Sequence, residues 1–200
     1  MKKMKQLLAE SGKSFSTLGH LTTLGILGAL AVVLGLVASI DLGPYIRIGF
    51  SGIPNRIVDF LFGPIVGGIF GGIMDILKYM VKPNGPFFFG FTVDAILGGV
   101  IYGCFLYKKP LKLWRVLVPE ILVKVFVNCG LNTLWISMLY GKGFMVLLPG
   151  RILKNAIMLP IDTIILFVAY GLLLKILKGN RNSRSFTYPF EKEATNPENQ

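Results

Sequence analysis

The chain has 200 residues, 53% of them hydrophobic and 16% charged, with a positive mean hydropathy and a formal net charge of +11. That balance excludes an ordinary soluble domain and describes a polytopic membrane protein. Its two cysteines, Cys104 and Cys129, lie inside apolar runs and read as small packing residues, with no disulfide framework and no metal spacing.

Residues 21–40 carry no charge, and twenty such residues cross a hydrocarbon core. They are too long a run for a signal peptide, nothing resembling one precedes them, and they predict a first helix over 18–40. A short second helix is expected over 48–62, ended by Gly63-Pro64. At ~1.5 Å per residue it barely crosses ~30 Å of hydrocarbon. Pro64 suits the first turn of a third helix over 64–80. The segment KPNGPFFFGFT, 82–92, follows as a loop, then a fourth helix over 92–107. The basic turn KKPLK leads to a fifth helix over 113–140, and a loop over 141–148 leads to a sixth over 149–177. The polar residues 179–200, rich in Asn, Ser and Glu, predict a disordered tail. The expectation is an all-α fold: one six-helix membrane domain, 1–178, and a tail.

The aromatic loop is the most informative segment. Loops are polar because their backbone must meet water, and non-helical backbone at membrane depth persists only against protein or a cavity. Three consecutive phenylalanines between Gly/Pro turns therefore suggest a lid over a pocket for a flat ligand. The same residues would also serve as an aromatic belt at the lipid–water interface.

Charge distribution reports topology. Six helices put both termini on one side, together with Lys2, Lys3, Lys5, Lys13, Lys108, Lys109, Lys112, Arg115, Lys175, Lys178, Arg181, Arg184 and Lys192. The other side holds Arg47, Lys78, Lys82, Lys142, Arg151 and Lys154. The excess marks the first side as cytoplasmic and turns the aromatic loop outward. No polyanionic partner such as nucleic acid is needed to explain the charge.

Arg56, Asp59, Asp75, Asp94, Lys124, Arg151, Lys154 and Asp162 stand within or at the ends of apolar helices. Each costs about 2.5–3.5 kcal/mol at a helix centre, so a partner or a function is expected. Arg56 and Asp59 are one turn apart and suited to pair; Asp162 also suits a paired role. Arg151 and Lys154 are different: two cations on one face, with no acid nearby in sequence, repel unless an anion bridges them. Asn155 extends that face, and Asn132 and Trp135 are again three apart on helix five. An aromatic lid, a Trp with an adjacent amide, and two cations describe a pocket for a flat, heteroaromatic, anionic ligand.

Enzyme signatures are missing. The single histidine, His20, starts helix one, no G-x-x-x-x-G-K-[ST] occurs, and the aspartates do not form the matched pair of an intramembrane protease. No cofactor or metal is expected. The glycines of GGIFGG, 67–72, give helix three a smooth packing face, and Gly25 and Ala29, four apart on helix one, with Ala31 and Gly35 beyond, let another helix approach closely.

FGPIVGGIFGGIMDIL, PNGPFFFGFT, LNTLWISMLYG and RILKN, in this order, resemble the folate-family substrate-binding (S) component of energy-coupling factor vitamin transporters. The resemblance runs from helix one to helix six. It implies a prokaryotic plasma-membrane protein that captures a vitamin at its outer face and works with a transmembrane coupling protein and two cytoplasmic ATPases. It implies that Gly25 and Ala29 contact the coupling protein, and that the subunit topples in the bilayer to deliver its ligand. Phe89 stands where the family often has proline. For folate the expected roles are aromatic surface from Phe87, Phe88, Phe91 and Trp135, and hydrogen bonds to the pterin or the amide linker from Asn132 and Asn155. Arg151 or Lys154 would meet a carboxylate. Asp94 would hold the pterin's donor edge or instead pair with Lys124. An S component for another vitamin (pantothenate, riboflavin, thiamin), a stand-alone secondary carrier and a membrane enzyme are the alternatives.

Overall fold

A computed structural model describes residues 18–42, 46–83 and 85–179. Helix α1 spans Leu18–Val37 and is followed by strands β1 (Ser39–Leu42) and β2 (Ile46–Gly49). Helices α2 (Gly52–Phe62), α3 (Pro64–Val81) and α4 (Phe89–Leu106) come next. Helix α5 (Leu113–Leu122) continues through a π-helical segment, Val123–Leu131, into α6 (Asn132–Tyr140), and α7 spans Phe144–Gly179. The expected tail lies outside the described residues.

The fold is α-helical, as composition requires. Among the described residues five spans are long and apolar enough to cross a bilayer: Leu18–Val37, Pro64–Val81, Phe89–Leu106, Leu113–Tyr140 and Phe144–Ile176. The remaining helix, α2, has 11 residues and reaches only ~16 Å, about half a hydrocarbon core.

Four boundaries differ from expectation. Helix one stops at Val37, and an antiparallel hairpin pairs Ser39 with Gly49 and Leu42 with Ile46. Consequently α2 starts at Gly52, with Pro54 in its first turn, where a missing N–H leaves no bond unmade. Phe89, Gly90 and Phe91 open α4 instead of closing the loop. Helix α7 starts at Phe144 and carries Pro149 and Pro160 inside it, a pattern membrane helices tolerate.

The centre of the bundle is the crossing of α3 on α4. A Cβ on Gly71 would stand 2.8 Å from the Ala95 carbonyl oxygen, and one on Gly103 would stand 2.5 Å from the backbone of Pro64. Only glycine permits this approach, so the run 67–72 does pack inside the subunit. Helix α1 is two-sided: Gly28, Ala31 and Gly35 are buried, whereas Gly25 and Ala29 are exposed.

The intramembrane charges are largely paired. Arg56 bonds Asp59 at 3.0 Å and lies 3.9 Å over the Tyr102 ring. Tyr102 donates to Glu120, and Lys124 reaches Glu120 at 3.3 Å and Asp162 at 2.6 Å. Lys124 thus serves Asp162 and Glu120 and makes no bond to Asp94. The network ties α2, α4, α5, the π segment and α7 together around a cavity of about 160 Å³.

Candidate functional site

A larger cavity, about 460 Å³, opens between α1, α2, α3, α4, α6 and α7. Helical periodicity explains the lining. Gly71, Asp75, Lys78 and Lys82 recur at i, i+4, i+7 and i+11 on α3 and its C-cap, and Asn128, Asn132, Ile136 and Tyr140 recur every four residues on the opposite wall. Arg151, Lys154 and Asn155 line it from α7, Phe91 and Ala95 from α4, and Ser51 and Asn55 from the start of α2. Among the described residues the charged lining is four cations (Lys78, Lys82, Arg151, Lys154) against one carboxylate, Asp75. An anionic ligand suits that balance.

One end is bordered by Lys82, Pro86 and the last turn of α6. Tyr79 Oη donates to the Gly85 carbonyl at 3.1 Å, Pro86 and Tyr140 line the cavity there, and Lys78 Nζ donates to the Ser51 carbonyl at 2.8 Å. Aromatic residues cluster at this end: Tyr79, Phe91 and Tyr140 face the cavity, while Phe88 sits 6.0 Å from Phe91 and 5.6 Å from Trp135 between ring centroids.

The wall behind is a hydrogen-bonded chain. Trp135 Nε1 donates to Asp94 Oδ1 and Asn132 Nδ2 to Asp94 Oδ2, both at 3.1 Å. Arg151 Nη1 donates to Asn132 Oδ1 and, at 3.2 Å, to the Asn128 carbonyl. Asn155 Nδ2 donates to the Arg151 carbonyl at 2.9 Å, and Asn128 Nδ2 to Asn155 Oδ1 at 3.4 Å. The π segment supplies the Asn128 acceptor: the same carbonyl takes Thr133 Oγ1 at 3.2 Å, five residues on.

Of the residues singled out from sequence, Phe91, Asn132, Arg151, Lys154 and Asn155 line the cavity. Phe88, Trp135 and Asp94 stand one layer behind it, with Asp94 buried. Phe87 is outside, 45% exposed and 5.1 Å from the Tyr79 ring. Sequence reasoning named Asp75 as a costly intramembrane charge without giving it a role at the site, and passed over Asn55, Asn128, Lys78, Tyr79 and Tyr140 as site residues. The spacing of Asp75, Lys78 and Lys82 on one face of α3 was the available signal.

Residues 20–170 match the family described as ECF transporter, substrate-specific component. The chain belongs to this family. Among curated proteins it is 43% identical over 127 residues to the folate transporter FolT of Clostridium novyi (strain NT), covering 64% of this chain and 74% of that one. It is 28% identical over 175 residues to the riboflavin transporter RibU of Staphylococcus aureus (strain TCH60), covering 80% and 92%. Among solved structures it is similar to a crystal structure of FolT bound with folic acid, with a TM-score of 0.70 and 31% identity over 76% of this chain and 92% of that one. The chain is therefore a multi-pass membrane protein of a transporter family, and its relatives are transport components rather than enzymes.

Proposed function

We propose that this chain is the folate-capture subunit of an ATP-driven ECF importer in a prokaryotic plasma membrane. The observation that carries the reading is the cavity: about 460 Å³, aromatic at one end, amide-lined on its walls and rich in cations. That volume falls within the usual range for a small-molecule site, roughly 300–1,000 Å³. Folate combines a flat pterin with two carboxylates, and a cavity with both stacking surface and cations suits it. The likeness to FolT supports the same ligand.

Pro86, Phe87 and Phe88, leading into α4, act as the lid, and the basic side of the molecule is cytoplasmic, so capture is from outside. The chain has no nucleotide-hydrolysing motif, so a coupling protein and two ATPases supply the energy. The exposed pair Gly25 and Ala29 on α1 offers that coupling protein a close helix contact.

Calorimetric titration of the purified chain with folate, riboflavin, thiamin, biotin and pantothenate tests the substrate. Tight one-to-one folate binding with the others silent is expected. Riboflavin binding in its place would follow the likeness to RibU and overturn the folate reading.

A further inference from the structure

Two aspartates compete for the role of reading the ligand's hydrogen-bond donors, and their surroundings separate them. Asp94 is buried, is absent from the cavity lining, and has each carboxylate oxygen occupied, Oδ1 by Trp135 and Oδ2 by Asn132. Asp75 lines the cavity, is half-buried, and accepts one hydrogen bond, from Thr92 Oγ1 to Oδ2 at 2.8 Å. A carboxylate has about four lone-pair sites. Asp75 therefore keeps Oδ1 and part of Oδ2 for another donor, and Thr92 fixes the plane in which they point.

Its level in the cavity matters as much as its valence. Asp75 lies six residues, about 9 Å, below the end of α3. Tyr79 is one turn nearer that end, and Phe91 directly precedes the Thr92 that holds the carboxylate; both line the cavity. A planar heterocycle lying against these rings presents its edge to Asp75. Among the described lining residues no other carboxylate is available to it.

We propose that Asp75, positioned by Thr92, is the specificity-determining residue that accepts the 2-amino and N3–H donors of the ligand's pterin, while Asp94 only anchors the wall. The proposal rests on the folate reading and names the residue that enforces it. A buried site built to hydrogen-bond a donor rejects an analogue lacking that donor, because its own acceptor is then left unpaired.

The test is a cycle of two ligands and three proteins. Folate and its 2-desamino analogue are titrated into the purified full chain, Asp75→Asn and Asp75→Glu. The wild type is expected to favour folate by about 30-fold, a figure typical of one charge-assisted hydrogen bond. Asp75→Asn, nearly isosteric and still able to accept from Thr92, should bind folate about 30-fold more weakly and discriminate less than about threefold. Asp75→Glu retains a carboxylate and should recover most of the discrimination. If Asp75→Asn weakens both ligands equally and still discriminates like the wild type, the residue is structural and the assignment falls alone. A wild type that binds no folate removes the substrate reading and this assignment together.

Discussion

Trp135 sits behind the cavity wall, and two substitutions there separate its contacts. Trp135→Phe keeps a ring against Phe88, now 5.6 Å from the indole, but removes the N–H that Asp94 accepts at 3.1 Å. Asp94 is 8% exposed, so water does not replace the lost donor, and a hydrogen bond to a charged group contributes about 1.5–3 kcal/mol. Asn132 still holds the other oxygen, so the cavity wall stays in place. The expected result is a stability loss of about 1.5–3 kcal/mol with folate affinity changed by less than about threefold. Trp135→Ala also removes the surface behind Phe88 and the lid, and should weaken folate at least tenfold, about 1.4 kcal/mol. Thermal unfolding in detergent and calorimetry read the two quantities separately. If Trp135→Phe weakens folate as much as Trp135→Ala does, the indole N–H faces the ligand and the assignment to Asp94 is refuted.

Gly25→Trp or Ala29→Trp should leave folate binding intact and abolish ATP-dependent uptake in proteoliposomes holding the complete transporter. Loss of binding as well would place this exposed face inside the subunit. Gly103→Ala places a Cβ 2.5 Å from the Pro64 backbone and should cost about 3 kcal/mol or more. Gly25→Ala, with nothing within 4 Å of the added Cβ, should leave the melting temperature unchanged or slightly raised, since alanine suits a helix interior better than glycine, and equal losses for the two would contradict the α3–α4 crossing. Lys124→Met strips Glu120 and Asp162 of their shared cation and should destabilise by about 3–5 kcal/mol. Adding Glu120→Gln and Asp162→Asn should recover part of that loss, and a triple variant no more stable than the single would show that the bridge is not what holds these helices.

Much of the bundle was legible because a bilayer imposes length and apolarity on anything that crosses it. The boundaries missed were those where soluble-protein punctuation misleads. Gly90 and Pro149 stand at the edges of the expected loops, yet both lie inside helices. The hairpin had its own signal, since Ile40, Leu42, Ile46 and Ile48 alternate with polar or turn-forming residues at period two. At the site, the three-residue spacing of Asn132 and Trp135 foretold a shared face, and both converge on Asp94. Spacing cannot tell whether Asp75 or Asp94 faces the cavity, because that depends on how α3 and α4 are rotated against each other. The Thr92–Asp75 bond, joining the two helices, fixes that rotation.

The π-helical turn carries a lesson about insertions and deletions. Its wider coil takes up more chain than an α-helix would over the same path, as if residues had been added to the wall between Val123 and Leu131. Removing one residue there would let the helix relax to α geometry while α6 beyond it keeps its facing, because the wider turn is what absorbs the extra residue. Asn132, Ile136 and Tyr140 would stay at the cavity, but the Asn128 carbonyl would return to its own helix and release Arg151. Two chains differing by a single gap in this segment would thus share the cavity's side chains and differ in the backbone acceptor that steadies Arg151.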